Sequence, residues 1–178
     1  AIHHHEDKPK HRAMLVVMTL LLPLGYLAFY AVQASQVPMI HDISTDPAQP
    51  PELVALLAQR GPGTNPLDYS AEVAAAQASA YPDIRPLHLD LTPAEALTRA
   101  EQVAQALGWH VVATDAARGT LEATATSFWF GFVDDVVVRV RGEGERTRID
   151  VRSVSRVGKG DVGKNAARIR AFQRQMAE

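Results

Sequence analysis

The chain has 178 residues, no cysteine and a formal net charge of −2. That length suits one domain with extensions, and the missing thiol excludes disulfides, iron–sulfur clusters, zinc–thiolate sites, a cysteine nucleophile and a lipid-modified cysteine. The near-neutral total hides three blocks: residues 1–35 carry +1, 36–138 carry −9 and 139–178 carry +6. The acidic middle and basic end are expected on different surfaces of one domain, partly neutralising each other and able to steer a charged partner.

Residues 1–12 read as a short cytoplasmic tail. Ala1 is the residue expected where an initiator methionine is trimmed, which would make this the native N-terminus. His3, His4 and His5 read as part of a solvated tail rather than a metal tract, because no carboxylate or further histidine is placed to complete a site.

No charged residue occurs between Ala13 and Ile40. Residues 13–34 are the apolar heart of this stretch. As a helix they would extend roughly 33 Å, which matches a bilayer core of about 30 Å. Pro23 and Gly25 are tolerated inside such a helix. Gly25 and the small residues near it could pack on another helix, and Tyr26 and Tyr30 would lie near an interface. Lys8, Lys10 and Arg12 precede the segment, while the first Lys or Arg after it is Arg60. The positive-inside rule then puts the N-terminus in the cytoplasm and the rest of the chain on the periplasmic side of an inner membrane. A cleaved signal peptide, with Val32-Gln33-Ala34 as its cleavage site, is the competing reading, but the apolar run is longer than a signal core.

Residues 35–91 are rich in proline and alanine and read as an arm lying on the folded domain. A short helix is expected over 52–59, broken by Gly61-Pro62-Gly63. A second is expected over 71–80, with Ser70 as N-cap. Tyr81 to Pro86 must be extended, because two prolines exclude helix.

Residues 92–178 read as the core domain. Thr92-Pro93-Ala94-Glu95 is a capping box, Leu97, Ala100, Val103, Ala104 and Leu107 make one apolar stripe, and Gly108 stops the helix. Strands are expected over 109–114, 120–130, 136–141 and 147–154. Val136, Val138 and Val140 share one face against Arg139 and Arg141; Ile149 and Val151 oppose Asp150 and Arg152. A closing helix runs over 161–177, burying Val162, Ile169, Phe172 and Met176, with Lys164, Arg168, Arg170 and Arg174 on its polar side. Helix, four-stranded antiparallel meander, helix makes a two-layer α+β domain.

Several stretches together resemble the uncharacterised DUF1499 family. They are His41 to Asp46, Tyr81-Pro82-Asp83-Ile84, Gly108-Trp109, Glu122 to Phe132, Asp134 to Arg139, Asp150 to Gly158 and Asp161 to Asn165, so the resemblance covers roughly residues 38–175. It implies a domain found in proteobacteria and photosynthetic lineages and no established enzyme activity.

The residues themselves carry little chemistry. No serine sits in a Gly-x-Ser-x-Gly elbow. His41-Asp42 is either an acid–base pair or a turn whose aspartate caps a backbone group. Asp134 and Asp135 are neighbours and would point to opposite faces of a strand, which favours a hairpin turn over a shared proton. Gly158 to Lys164 lacks Walker spacing, though glycines entering a helix beside two lysines could hold an anion. No catalytic residue, metal or cofactor is expected.

The aromatic run Phe128-Trp129-Phe130-Gly131-Phe132 reads either as core or as an exposed contact with a bilayer or partner. Arg139, Arg141, Arg152, Arg156 and Arg168 are expected to form a basic surface for lipid headgroups or an acidic protein. Nucleic acid is a poor partner outside the cytoplasm. The leading expectation is a non-enzymatic accessory or assembly subunit of an integral membrane complex, photosynthetic or respiratory. A periplasmic domain binding lipid or another small amphiphile is the alternative, and an enzyme using His41, Asp42 and Arg152 is the third reading.

Overall fold

The computed structural model describes residues 7–35, 37–127 and 130–178, with all their side chains except those of 7–13, 30, 33 and 34. The chain divides into two units, Ala1–Val37 and Pro38–Glu178.

In the first unit, α1 spans Asp7–Ser35 and runs through Pro23 without a break. Its hydroxyls turn inward on the backbone: Thr19 Oγ1 donates to the Leu15 carbonyl at 2.7 Å, which satisfies a polar group locally in an apolar helix. The described large apolar residues from Met14 to Phe29 are all more than half exposed. The helix expected over 13–34 is therefore present and starts earlier, at Asp7. A membrane span is not among the features shown: among the described residues, no helix is long and apolar enough to cross a membrane. The Tyr30 side chain lies outside the described residues.

The second unit is α+β. Its strands are β1 (Asp42–Ser44), β2 (Leu87–Leu89), β3 (His110–Asp115), β4 (Thr120–Thr126), β5 (Val133–Glu143) and β6 (Arg146–Ser155). Its helices are α2 (Ala71–Ala80), α3 (Pro93–Ala106) and α4 (Lys164–Ala177), with a 3-10 turn over Ala55–Gln59. The expected run of four consecutive antiparallel strands is β3 to β6, but the sheet has six. Two three-residue strands line the free edge of β6: β1 pairs with Arg152 to Val154, and β2 with Thr147 to Ile149. Each is too short to show a period of two, so neither stood out in the sequence.

Local signals set the helix ends. Ser70 accepts from the Val73 N–H at the start of α2. Thr92 and Glu95 form the reciprocal capping box of α3, and Gly108 follows that helix with φ 75°, a left-handed turn that glycine adopts without a Cβ clash. The expected helix over 52–59 is only the short 3-10 turn, and α4 begins at Lys164 rather than Asp161.

Both faces of the sheet are covered. On one, Leu121, Val136, Val138, Val140, Ile149 and Val151 pack against Leu97, Ala100, Ile169, Phe172 and Met176 of α3 and α4. Trp109 stacks on Phe172 with ring centroids 5.3 Å apart. On the other, Leu53 and Leu56 pack on Val137 and Val154. Asp150 and Arg152, expected to face outward, do point away from the helices, yet they are buried: Pro51, Leu67 and Tyr69 close over Arg152, and Arg139, Arg141 and Arg148 enclose Asp150.

Candidate functional site

The face beneath the 51–69 segment is a row of paired charges. At its centre the Arg152 guanidinium meets both oxygens of Asp42, at 3.0 and 2.6 Å. Its remaining N–H groups donate to the carbonyls of Pro51 and Leu67, at 3.2 and 2.6 Å, and the Tyr69 ring sits 5.8 Å below. Tyr69 donates to Gln77, which exchanges hydrogen bonds with the Ser44 backbone. Burial, and then the Asp42 carboxylate, push the Tyr69 phenol well above its ordinary range. A buried charge is tolerated only when paired and hydrogen-bonded, and every group here meets that condition.

Toward one end, Asp46 and Asp150 share Arg139, Arg141 and Arg148 at 2.8–3.6 Å. A surface hollow of about 430 Å³ lies beside them, lined by Asp46, Gln49, Arg141, Glu143 and Arg148. Its walls are charged, unlike the apolar pockets that hold lipids or cofactors. Toward the other end, Asp135 is held by Arg60 and by Arg156, the latter at 2.7 Å. On the helix face, Arg168 reaches Asp134 at 2.6 Å and Asn165 at 2.5 Å.

These pairs correct several expectations. Arg139, Arg141, Arg152, Arg156 and Arg168 do not form a free basic surface, because each already holds a carboxylate of this chain. The acidic middle and basic end do not occupy separate surfaces; they interleave on one sheet. Asp134 and Asp135 are no hairpin turn. Both are buried inside β5, on opposite faces, with different arginine partners. Asp42 is neither a turn cap nor an accessible acid: it lies in β1 with both oxygens taken. His41 contributes its carbonyl, which accepts from the Ser155 N–H and the Asn165 amide.

The glycine-rich loop before α4 is likewise filled. The Asp161 carboxylate accepts from the N–H groups of Gly163 and Asn165 at 2.8 and 2.6 Å, so the chain's own anion occupies the helix N-terminus. Burial raises the Asp161 carboxyl above its ordinary value, against the pull of those two donors. Among the described residues, no group of three or more His, Asp or Glu could hold a metal ion.

Sequence reading gave Glu122 no role beyond its place in the family resemblance. From β4 it receives the N–H groups of Val54, Ala55 and Leu56, each at 2.9 Å, and so ties the 3-10 turn to the sheet. A glutamate between two buried alanine and leucine neighbours was the available signal, but its partners are 66 to 68 residues away.

The described part of the aromatic run, Phe130 to Phe132, lies between β4 and β5 and not in a strand. Strand β4 stops at Thr126, short of the expected Phe130. Ser127 then closes the turn: its N–H donates to the Phe132 carbonyl at 2.8 Å and its hydroxyl accepts from the Phe132 N–H at 2.9 Å. Gly131 supplies the positive φ, 64°, that reverses the chain. Phe130 and Phe132 stack 5.7 Å apart and are 78% and 54% exposed. Phe128 and Trp129 lie outside the described residues. With the arginines paired and the carboxylates occupied, this stacked pair is the described feature of the folded unit that resembles a contact surface.

The family described as protein of unknown function (DUF1499) matches residues 42–176, and the chain belongs to that family. No curated protein matches it.

Proposed function

We propose that this DUF1499 protein is a membrane-anchored, non-enzymatic accessory or assembly subunit of a larger inner-membrane complex, with its folded unit on the periplasmic side. The observation that carries the reading is α1, a 29-residue helix whose described large apolar side chains, from Met14 to Phe29, are all more than half exposed. A helix apolar all round is stable in lipid or between other helices. Basic residues lie only at its N-terminal end, which supports a cytoplasmic N-terminus. The pairing of Asp42, Asp46, Asp134, Asp135 and Asp150 with arginine supports a non-enzymatic role, since a general acid or base needs access to substrate.

The alternative, a pocket for lipid between sheet and helices, has less support. Leu121, Val136, Ile169 and Phe172 fill that space and are fully buried. The test is extraction of the full chain from native membranes in mild detergent, followed by native sizing and mass spectrometry. Co-migration with integral membrane proteins, of photosynthetic or respiratory type, is expected. A monomeric species free of partners overturns the reading.

A further inference from the structure

Three segments converge at one end of the sheet: Pro38 to His41, where the chain enters the folded unit; Ser127 to Val133, between β4 and β5; and Arg156 to Gly160, which follows β6. The backbone holds them side by side. Ser155 N–H donates to the His41 carbonyl at 2.8 Å, Arg156 N–H to the Val133 carbonyl at 3.0 Å and Asp161 N–H to the Ile40 carbonyl at 3.2 Å. Gly160 lies so close to the Met39 backbone that a Cβ there would sit 3.2 Å from it.

Among their described residues, these segments expose four large apolar side chains: Met39, Phe130, Phe132 and Val157. None of the three segments contains an aspartate or glutamate. Their exposed cation is Lys159, which makes no ion pair among the described residues. The other end of the same unit carries Asp46, Arg141, Glu143 and Arg148 around its surface hollow. A soluble surface seldom gathers four exposed large apolar residues with no acid among them. Apolar side chains that enter the acyl boundary beside a cation at headgroup level are the signature of an interfacial contact.

We infer that this end of the folded unit lies against a bilayer containing anionic phospholipid, with Met39, Phe130, Phe132 and Val157 in the interface and Lys159 at the headgroups. The inference rests on the anchoring reading above, because the chain arrives at this end from the apolar α1 through Val37 and Pro38. It goes beyond that reading: the unit is held in one orientation on the membrane, with the charged end turned away, and does not swing freely on a tether.

The absence of native cysteine permits a direct test. Single cysteines replace Leu20, Ala117, Phe132 or Val157 in the full chain. Each variant is labelled with an environment-sensitive fluorophore and reconstituted into phosphatidylcholine–phosphatidylglycerol vesicles. Quenching by bromine on the acyl chains is compared with quenching by aqueous iodide. Labels at 20, 132 and 157 are expected to be quenched by the lipid, and the label at 117, in the opposite β3–β4 turn, by iodide alone. If 20 is lipid-quenched while 132 and 157 respond to iodide, the docking inference fails and the anchor stands. If 20 also responds only to iodide, the anchoring reading fails and takes this inference with it. Shielding of 132 and 157 from both quenchers means that protein covers the tip, which also overturns the inference. The replaced side chains at 132 and 157 are exposed, and the near-ultraviolet spectrum of each variant verifies that it folds.

Discussion

Arg152 and Asp42 meet through two hydrogen bonds, at 3.0 and 2.6 Å, although 110 residues separate them in the chain. The register of β1 on β6 sets the meeting: Ser44 is opposite Arg152 and Asp42 opposite Val154, so the two side chains share a face on a diagonal. The carbonyls of Pro51 and Leu67 complete the guanidinium's shell. One pair thus pins β1 and the 51–69 segment to the sheet.

Removing either partner leaves a buried charge alone. Arg152→Met or Asp42→Leu should each destabilise the folded unit by about 3–5 kcal/mol, while the double variant should recover a large part of that loss. Denaturant unfolding of the three variants measures the coupling. Purely additive losses would show that the pair contributes no interaction of its own.

Glu122→Ala leaves the N–H groups of Val54, Ala55 and Leu56 without acceptors. An unpaired buried donor costs about 1–3 kcal/mol. The loss should appear first as local opening of the 3-10 turn, since Leu53 and Leu56 touch only a small apolar cluster. Hydrogen exchange at residues 54–56 should quicken several-fold more than exchange in β5, as expected for a sub-global opening. Equal acceleration in both places would refute that local reading.

Gly119 closes the β3–β4 turn with φ 63°, and its Cα faces the Val140 carbonyl so closely that an added Cβ would collide with backbone. Its own carbonyl accepts from the Val140 N–H at 2.7 Å. Gly119→Ala therefore combines left-handed strain of roughly 1–2 kcal/mol with a clash that no side-chain rotation relieves. Thermal unfolding should fall by several degrees. At Gly144, φ is the same 63° but the space is open, so Gly144→Ala should lose only the strain.

Asp161 predicts a pH dependence of definite sign. Burial raises its folded pKa above the ordinary 3.8, so folding favours the neutral form. Its contribution to stability is then fully present below that ordinary value and is lost as pH rises through the folded pKa. Asp161→Asn keeps one of the two acceptor oxygens and cannot titrate. The stability of the native chain relative to this variant should therefore decline with rising pH from about 4 and level off above the raised pKa. Urea unfolding across that range measures it; a difference that grows with pH contradicts the assignment.

Sequence alone determined whatever depends on neighbours within a turn or two. The Ser70 cap, the Thr92–Glu95 box, the stripe of α3, the valine alternation of β5 and the uncharged run from Ala13 all state their conformation locally, because capping, periodicity and the exclusion of charge act over a few residues. The family resemblance over 38–175 likewise agrees with the match over 42–176. Tertiary structure decided what depends on distant partners. It added β1 and β2 to a sheet read as four strands. It closed the Phe130–Phe132 turn through Ser127. It also turned five arginines from a surface into pairs, because an arginine two residues from another on a strand announces a shared face but not what covers that face. Asp42, Asp46, Asp135 and Asp150 meet the arginines on one face and Asp134 meets Arg168 on the other, four of the five supplied by the acidic middle of the chain. Only folding brings those opposite charges within 4 Å, where loss of water makes pairing obligatory.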